Sequence, residues 1–155
     1  MAVVAVVIYL LLTYGFLITQ CTGQAMFPAM KDGDLCVIFR QQTISLMGEK
    51  YEAGDVVTYL VDGKRHFGRV VAIGGDSVQI DTRGSVTVNG VTEGEEILYP
   101  TYPRGDLLNI TYVNEGTLYV LGDYRTNTED SRDFGPIPLE DVEGKVISIL
   151  RRRGL

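Results

Sequence analysis

Beyond Gln24 the chain alternates apolar and polar side chains with a period of two, in short runs broken by glycine, and this restricts most of it to strands. Ser77-Val78-Gln79-Ile80-Asp81 alternates without a fault, as does Ser85-Val86-Thr87-Val88-Asn89. Between them Thr82-Arg83-Gly84 supplies a hairpin turn, with glycine available for a positive φ. Asn89-Gly90 is a second turn signal. Further strand-like runs cover residues 35–39, 56–61, 66–73, 117–121 and 146–150, and most of the 18 glycines fall between runs. Residues 139–142 offer one helical turn, and no long stretch beyond Gln24 shows an apolar helical face. Residues 93–110, with Pro100 and Pro103, read as a long loop. The expectation is a mainly β domain of curved sheets or a barrel.

The first 30 residues differ in kind. They contain no Asp, Glu, Lys or Arg, and the first charge is Lys31. Residues 2–18 are apolar except at Tyr9, Thr13, Tyr14 and Gly15. Roughly 20 such residues cross a hydrocarbon core of about 30 Å. A cleaved signal peptide carries a basic start and a shorter apolar core, so a retained, single transmembrane anchor over residues 1–20 is expected, followed by one domain over 21–155. Twenty acidic against 14 basic residues, a net charge of −6, argue against a nucleic-acid partner. Two Cys and one His are too few for a zinc framework, and no metal or cofactor is expected. Cys21 and Cys36 are read as free thiols. The sequon Asn109-Ile110-Thr111 matters only in a eukaryotic secretory setting. Arg151-Arg152-Arg153 reads either as a solvated tail or as a contact for anionic lipid.

Four segments carry chemistry, in this order: Gly23-Gln24-Ala25-Met26-Phe27-Pro28-Ala29-Met30-Lys31-Asp32-Gly33-Asp34, Gly54-Asp55-Val56-Val57, Gly68-Arg69-Val70-Val71-Ala72-Ile73-Gly74-Gly75-Asp76, and Gly122-Asp123-Tyr124-Arg125-Thr126-Asn127-Thr128-Glu129-Asp130-Ser131-Arg132-Asp133-Phe134-Gly135-Pro136. Together they resemble the type I signal peptidases, membrane serine proteases that remove leader peptides from exported proteins. The resemblance implies a signal-peptidase-like fold of barrel-like, coiled β-sheets, a place in the cell membrane and a domain on the extracytoplasmic face.

That family works with a Ser–Lys pair: the serine attacks the scissile carbonyl, and a desolvated, neutral lysine takes its proton. The serine of its Ser-Met-x-Pro pattern falls at Ala25, and the lysine before Arg-Val falls at Gly68. A methyl has no lone pair and a hydrogen accepts no proton, so no catalytic residue is intact. Thr128 stands where the family has a hydroxyl that orients the lysine, and Asp130 and Arg132 match an acidic and basic pair below the site. Tyr124 stands in place of an Asn, and Gly75 in place of a Pro. Thr22, Cys21 and Lys64 are read as too far away or facing the wrong way on extended strands to substitute. His66 shares a strand face with Gly68, so it is a candidate base that still lacks a nucleophile.

Ala25, Met26, Phe27 and Pro28 are expected to keep a strand-like surface for an extended peptide, with open space at Gly68. The resemblance narrows further, to dyad-less signal-peptidase-like proteins encoded with Gram-positive pilus components. It implies an assembly factor whose partners are the lipid bilayer, exported or pilin-type polypeptides and a sortase. The competing reading is an active leader peptidase that uses other groups, or one carrying an engineered serine-to-alanine change at position 25. A purely structural surface protein is the third.

Overall fold

The computed structural model describes residues 2–94, 98–105 and 110–151. The charge-free N-terminus forms helix α1 (Ala2–Gly15) and passes without a linker into strand β1 (Phe16–Gln20). β1 pairs antiparallel with β2 (Leu35–Arg40), setting Phe16 opposite Phe39 and Ile18 opposite Val37. The anchor expected over residues 1–20 is therefore corrected: its last five residues are strand. Apolar content signals burial but does not choose between a helix in lipid and a strand in protein. Here the Phe16 and Phe39 rings, 5.4 Å apart, and the β-branched Ile18 and Thr19 fit a pleated ladder. The 14 residues of α1 rise about 21 Å. Among the described residues no helix is long and apolar enough to cross a membrane.

After β2 comes a six-residue helix, α2 (Gln41–Leu46), which buries Ile44. Then follow β3 (Val56–Val61), β4 (Lys64–Ile73), β5 (Ser77–Ile80), β6 (Val86–Val88) and β7 (Val91–Thr92). The chain continues through β8 (Thr111–Tyr112), β9 (Thr117–Leu121), helix α3 (Ser131–Phe134) and β10 (Ile137–Pro138). A 3₁₀ turn (Leu139–Asp141), at the place read as one helical turn, leads into β11 (Val142–Leu150). The strands form a seven-stranded antiparallel sheet ordered β1-β2-β11-β3-β4-β9-β10 and a four-stranded sheet ordered β7-β6-β5-β8. The mainly β expectation holds. Register breaks fall in β11 against both neighbours and between β4 and β9, and such irregularities sharpen twist and bend a sheet. Asn109 of the sequon and Arg152-Arg153 lie outside the described residues. Arg151 is exposed and donates from Nη2 to the Ala29 carbonyl at 2.9 Å.

β9 is the central element. Successive side chains of a strand point to opposite faces, so Leu118 and Val120 join a cluster with Val57, Tyr59 and Val70. Tyr119 and Leu121 join Ala72, Val78, Ile80 and Val86 on the other face. A strand buried on both sides reads as a continuous apolar run rather than an alternating one. A third cluster, of Cys21, Met26, Met30, Cys36 and Phe67, lies under the segment that carries position 25. Both cysteines are free and buried.

Candidate functional site

Position 25 sits in a turn, not a strand. Phe27 N donates to the Gln24 carbonyl at 3.0 Å, and Met30 N to the Met26 carbonyl at 2.8 Å. The positive φ of Gly23 (81°) starts this fold-back, so the strand-like surface expected over 25–28 is corrected. Met26 is 1% exposed and faces the third cluster rather than any peptide. Ala25 is half-buried, while Phe27 and Pro28 are exposed. Tyr124 N donates to the Ala25 carbonyl at 2.9 Å, which ties the turn to the segment after β9.

Gly68 lies on β4, opposite Val57 of β3. A Cβ placed there would collide with the Val120 Cγ1 methyl and approach Tyr59 Cε1 and the Leu121 carbonyl at 3.4 Å each. The open slot expected at Gly68 is thus corrected: Val120 and Tyr59 fill it. Gly122 is closed from the other side. A Cβ there would lie 2.8 Å from the Ala25 carbonyl and 2.5 Å from Thr128 Oγ1. Ala25, Gly68 and Thr128 therefore converge on Leu121 and Gly122. The side chains of these three residues are a methyl, a hydrogen and one hydroxyl, which donates to the Glu129 carbonyl at 3.3 Å.

The frame beneath combines ion pairs with hydrogen bonds to the backbone. Asp130 and Arg132 are each 1% exposed in their side chains and meet in a two-pronged pair, 2.8 Å on both prongs. Asp130 caps α3 and also accepts from Gly122 N at 3.2 Å. Arg132 donates to the Arg125 carbonyl at 2.6 Å, and Ser131 Oγ accepts from Val120 N at 2.9 Å. The loop is stitched to β9 at the residues that Gly68 and Ala25 touch. Two further pairs escaped the sequence reading. Arg69 grips Asp123 at 2.8 and 2.6 Å and the Gly54 carbonyl at 2.8 Å, joining three of the four motif segments. Arg125, fully buried, bonds Glu93 at 2.8 and 3.1 Å and Thr101 at 2.6 Å. Arg69 and Asp123 could have been paired as opposite charges in adjacent motifs; Arg125 carries no burial signal in its polar neighbourhood.

The groups considered as substitutes are poorly placed. Burial, with Cys36, Asp34 and Asp32 nearby, pushes the Cys21 thiol up to about 11, so it is protonated at neutral pH and inert as a nucleophile. The His66 ring stacks on Tyr59 at 5.6 Å and meets Phe134 edge-on at 5.2 Å, and burial lowers its pKa. Lys64 opens β4, about 13 Å from Gly68 along the same strand. Thr22 is exposed just before the turn. Among the described residues no cluster of His, Cys, Asp and Glu is arranged to hold a metal.

A cavity of about 420 Å³ is lined by Gln24, Phe27, Lys31, Asp32 and Tyr124. Tyr124 lies 6.2 Å from Phe27 and 4.6 Å from Tyr99, ring centre to ring centre. The cavity offers aromatic faces, one cation and one carboxylate, the mixture that seats side chains of an extended polypeptide.

A family model described as signal peptidase, peptidase S26, matches residues 1–150. Signal peptidase IB of Staphylococcus aureus is 28% identical over 166 aligned positions, covering 92% of this chain and 83% of that protein. Thylakoidal processing peptidase 1 of Arabidopsis thaliana, a chloroplast protein, is 26% identical over 136 positions, covering 79% of this chain and 38% of its own length. A crystal structure of a signal peptidase I from Enterococcus faecalis superposes with a TM-score of 0.53 at 25% identity, covering 64% of this chain and 98% of the other.

Proposed function

Since the chain belongs to the signal peptidase S26 family, we propose that it is a non-catalytic member, a membrane-tethered factor that binds exported polypeptides instead of cutting them. One observation supports this reading. The Ala25 carbonyl packs at Gly122 and Gly68 packs at Leu121, and neither residue brings a nucleophile or a base to that place, beside the buried Asp130–Arg132 pair and the part-buried Arg69–Asp123 pair. Activating a hydroxyl needs a base within hydrogen-bond reach. Losing the nucleophile alone costs on the order of 10⁶ in turnover, about 8 kcal/mol.

Binding does not need those groups. Phe27, Tyr124 and the cavity between them supply apolar contact, and Lys31 and Asp32 supply polar contact. Exported polypeptides of the pilin type, with a sortase acting on them, are the partners proposed. The tether is α1. Its described side chains Val3, Val4, Val6, Tyr9 and Tyr14 are all exposed to their surroundings, which suits lipid rather than water. The domain is placed on the extracytoplasmic face.

The test is peptide binding to the full chain in detergent or vesicles, using an extended segment from an exported, pilin-type polypeptide. Tyr124→Ala with Phe27→Ala should weaken binding about tenfold or more, roughly 1.4 kcal/mol. Unchanged affinity in a folded double variant would move the binding surface elsewhere.

A further inference from the structure

Five residues line the cavity that flanks Ala25, and none of them stands on a strand. Gln24, Phe27, Lys31 and Asp32 lie in the turns between β1 and β2, and Tyr124 lies in the bend after β9. A strand-like partner needs a row of free main-chain groups. Here the row is broken: Phe27 N is spent on the Gln24 carbonyl, Lys31 N on Asp34 Oδ2 at 2.9 Å and Tyr124 N on the Ala25 carbonyl. The donors that line the cavity are instead on side chains: the Gln24 amide, the Lys31 ammonium and the Tyr124 hydroxyl. Its rings form a row. Tyr124 stands 6.2 Å from Phe27 and 4.6 Å from Tyr99, ring centre to ring centre. Tyr99 lines a second cavity, of about 300 Å³, together with Leu98 and Pro100. The Tyr124–Tyr99 pair therefore separates two hollows.

We propose that this aromatic row binds a proline-rich segment of a partner polypeptide in the polyproline II form, with a basic residue of that segment beside Asp32. This rests on the reading of the cavity as the binding surface, and it names the class of segment bound. Three features choose the occupant. A polyproline II segment has no internal hydrogen bonds, so its carbonyls are free to accept from side-chain donors and it needs no strand edge. Its pyrrolidine rings pack on aromatic faces, and the preformed helix loses little entropy on docking. Two of its residues advance about 6 Å, a step that matches the ring spacing along Phe27, Tyr124 and Tyr99. Charge selects the flank. Asp32 is exposed, and while its Oδ1 accepts from Gly23 N at 2.8 Å, Oδ2 has no partner among the described residues. The chain's net charge of −6 further favours a basic ligand.

The probe is a fluorescein-labelled peptide built on the repeat Pro-Pro-Arg, titrated with the full chain in neutral detergent micelles and followed by anisotropy. Saturable binding is expected, about tenfold tighter than for the same peptide with its prolines replaced by alanine. Tyr99→Ala should weaken it about tenfold. Tyr124→Phe keeps the ring and loses the donor, so about threefold is expected. Asp32→Asn should cost about twofold at low salt. An alanine peptide that binds as tightly as the proline one overturns the proposal, and that comparison needs no variant to fold. Binding unchanged by Tyr99→Ala overturns it too, because the row of rings is then not in use. The extended pilin-type segment, tested on the same chain, separates the two ideas. If that segment binds through Phe27 and Tyr124 while the proline peptide does not, the cavity stands as a binding surface and the proline reading falls; if neither binds, both fall.

Discussion

At the scale of single residues, position 25 ends in a methyl and position 68 in a hydrogen, and Val120 and Tyr59 have closed around position 68. Ala25→Ser by itself should therefore yield no peptide cleavage, since the new hydroxyl has no base. Gly68→Lys must displace the Val120 methyl. Overpacking of this kind costs about 1–3 kcal/mol, so the variant should unfold at lower urea concentration than the parent. Adding Val120→Ala should recover part of the loss; a Gly68→Lys chain as stable as the parent would show that the slot is open after all. Asp130→Ala leaves Arg132 buried without its carboxylate. Breaking a buried pair in this way costs about 3–5 kcal/mol, measurable by the same denaturation. A change below 1 kcal/mol would make the pair incidental. Vacancies of this sort are legible in a sequence, because an absent side chain is read directly from the motif. What fills a vacancy is not, since Val120 and Tyr59 reach Gly68 only through strand pairing.

At the scale of elements, β3, β4 and β11 are tied by one carboxylate. Glu143 on β11 accepts from Arg65 on β4 at 2.5 and 2.7 Å and from the Thr58 hydroxyl on β3 at 2.7 Å. The Arg65 hydrogen bonds hold the Glu143 carboxyl below its ordinary value of 4.5, against the opposing effect of burial. A carboxyl depressed in the folded state adds stability that is present above its unfolded pKa and lost as the pH falls through the folded one. The stability gap between the parent and Glu143→Gln should thus be largest near neutral pH and shrink as the pH drops below 4.5. A gap independent of pH would remove the ionic tie from the account of how these strands are held. Elements differ in how well they announce themselves. The β5–β6 hairpin is legible because one face is wet, which imposes alternation, and Gly84 marks its turn. β1 is not, because it prolongs an apolar run already begun by α1. α2 is not, because six residues make fewer than two helical turns.

At the scale of the whole molecule, the chain belongs to the signal peptidase S26 family and shares the fold of a signal peptidase I, and the non-catalytic reading proposed above rests on Ala25 and Gly68. Arg69–Asp123, Asp130–Arg132 and Arg125–Glu93 together hold the loop after β9, the Gly54 turn and the segment at Glu93 around one point. The most direct test is cleavage of an Ala-x-Ala peptide by the purified full chain in vesicles, followed by mass spectrometry. No product above the uncatalysed background is expected from the parent chain. Turnover that follows the protein through purification and is abolished by Thr128→Val would contradict the claim, since a working nucleophile would then stand at the site.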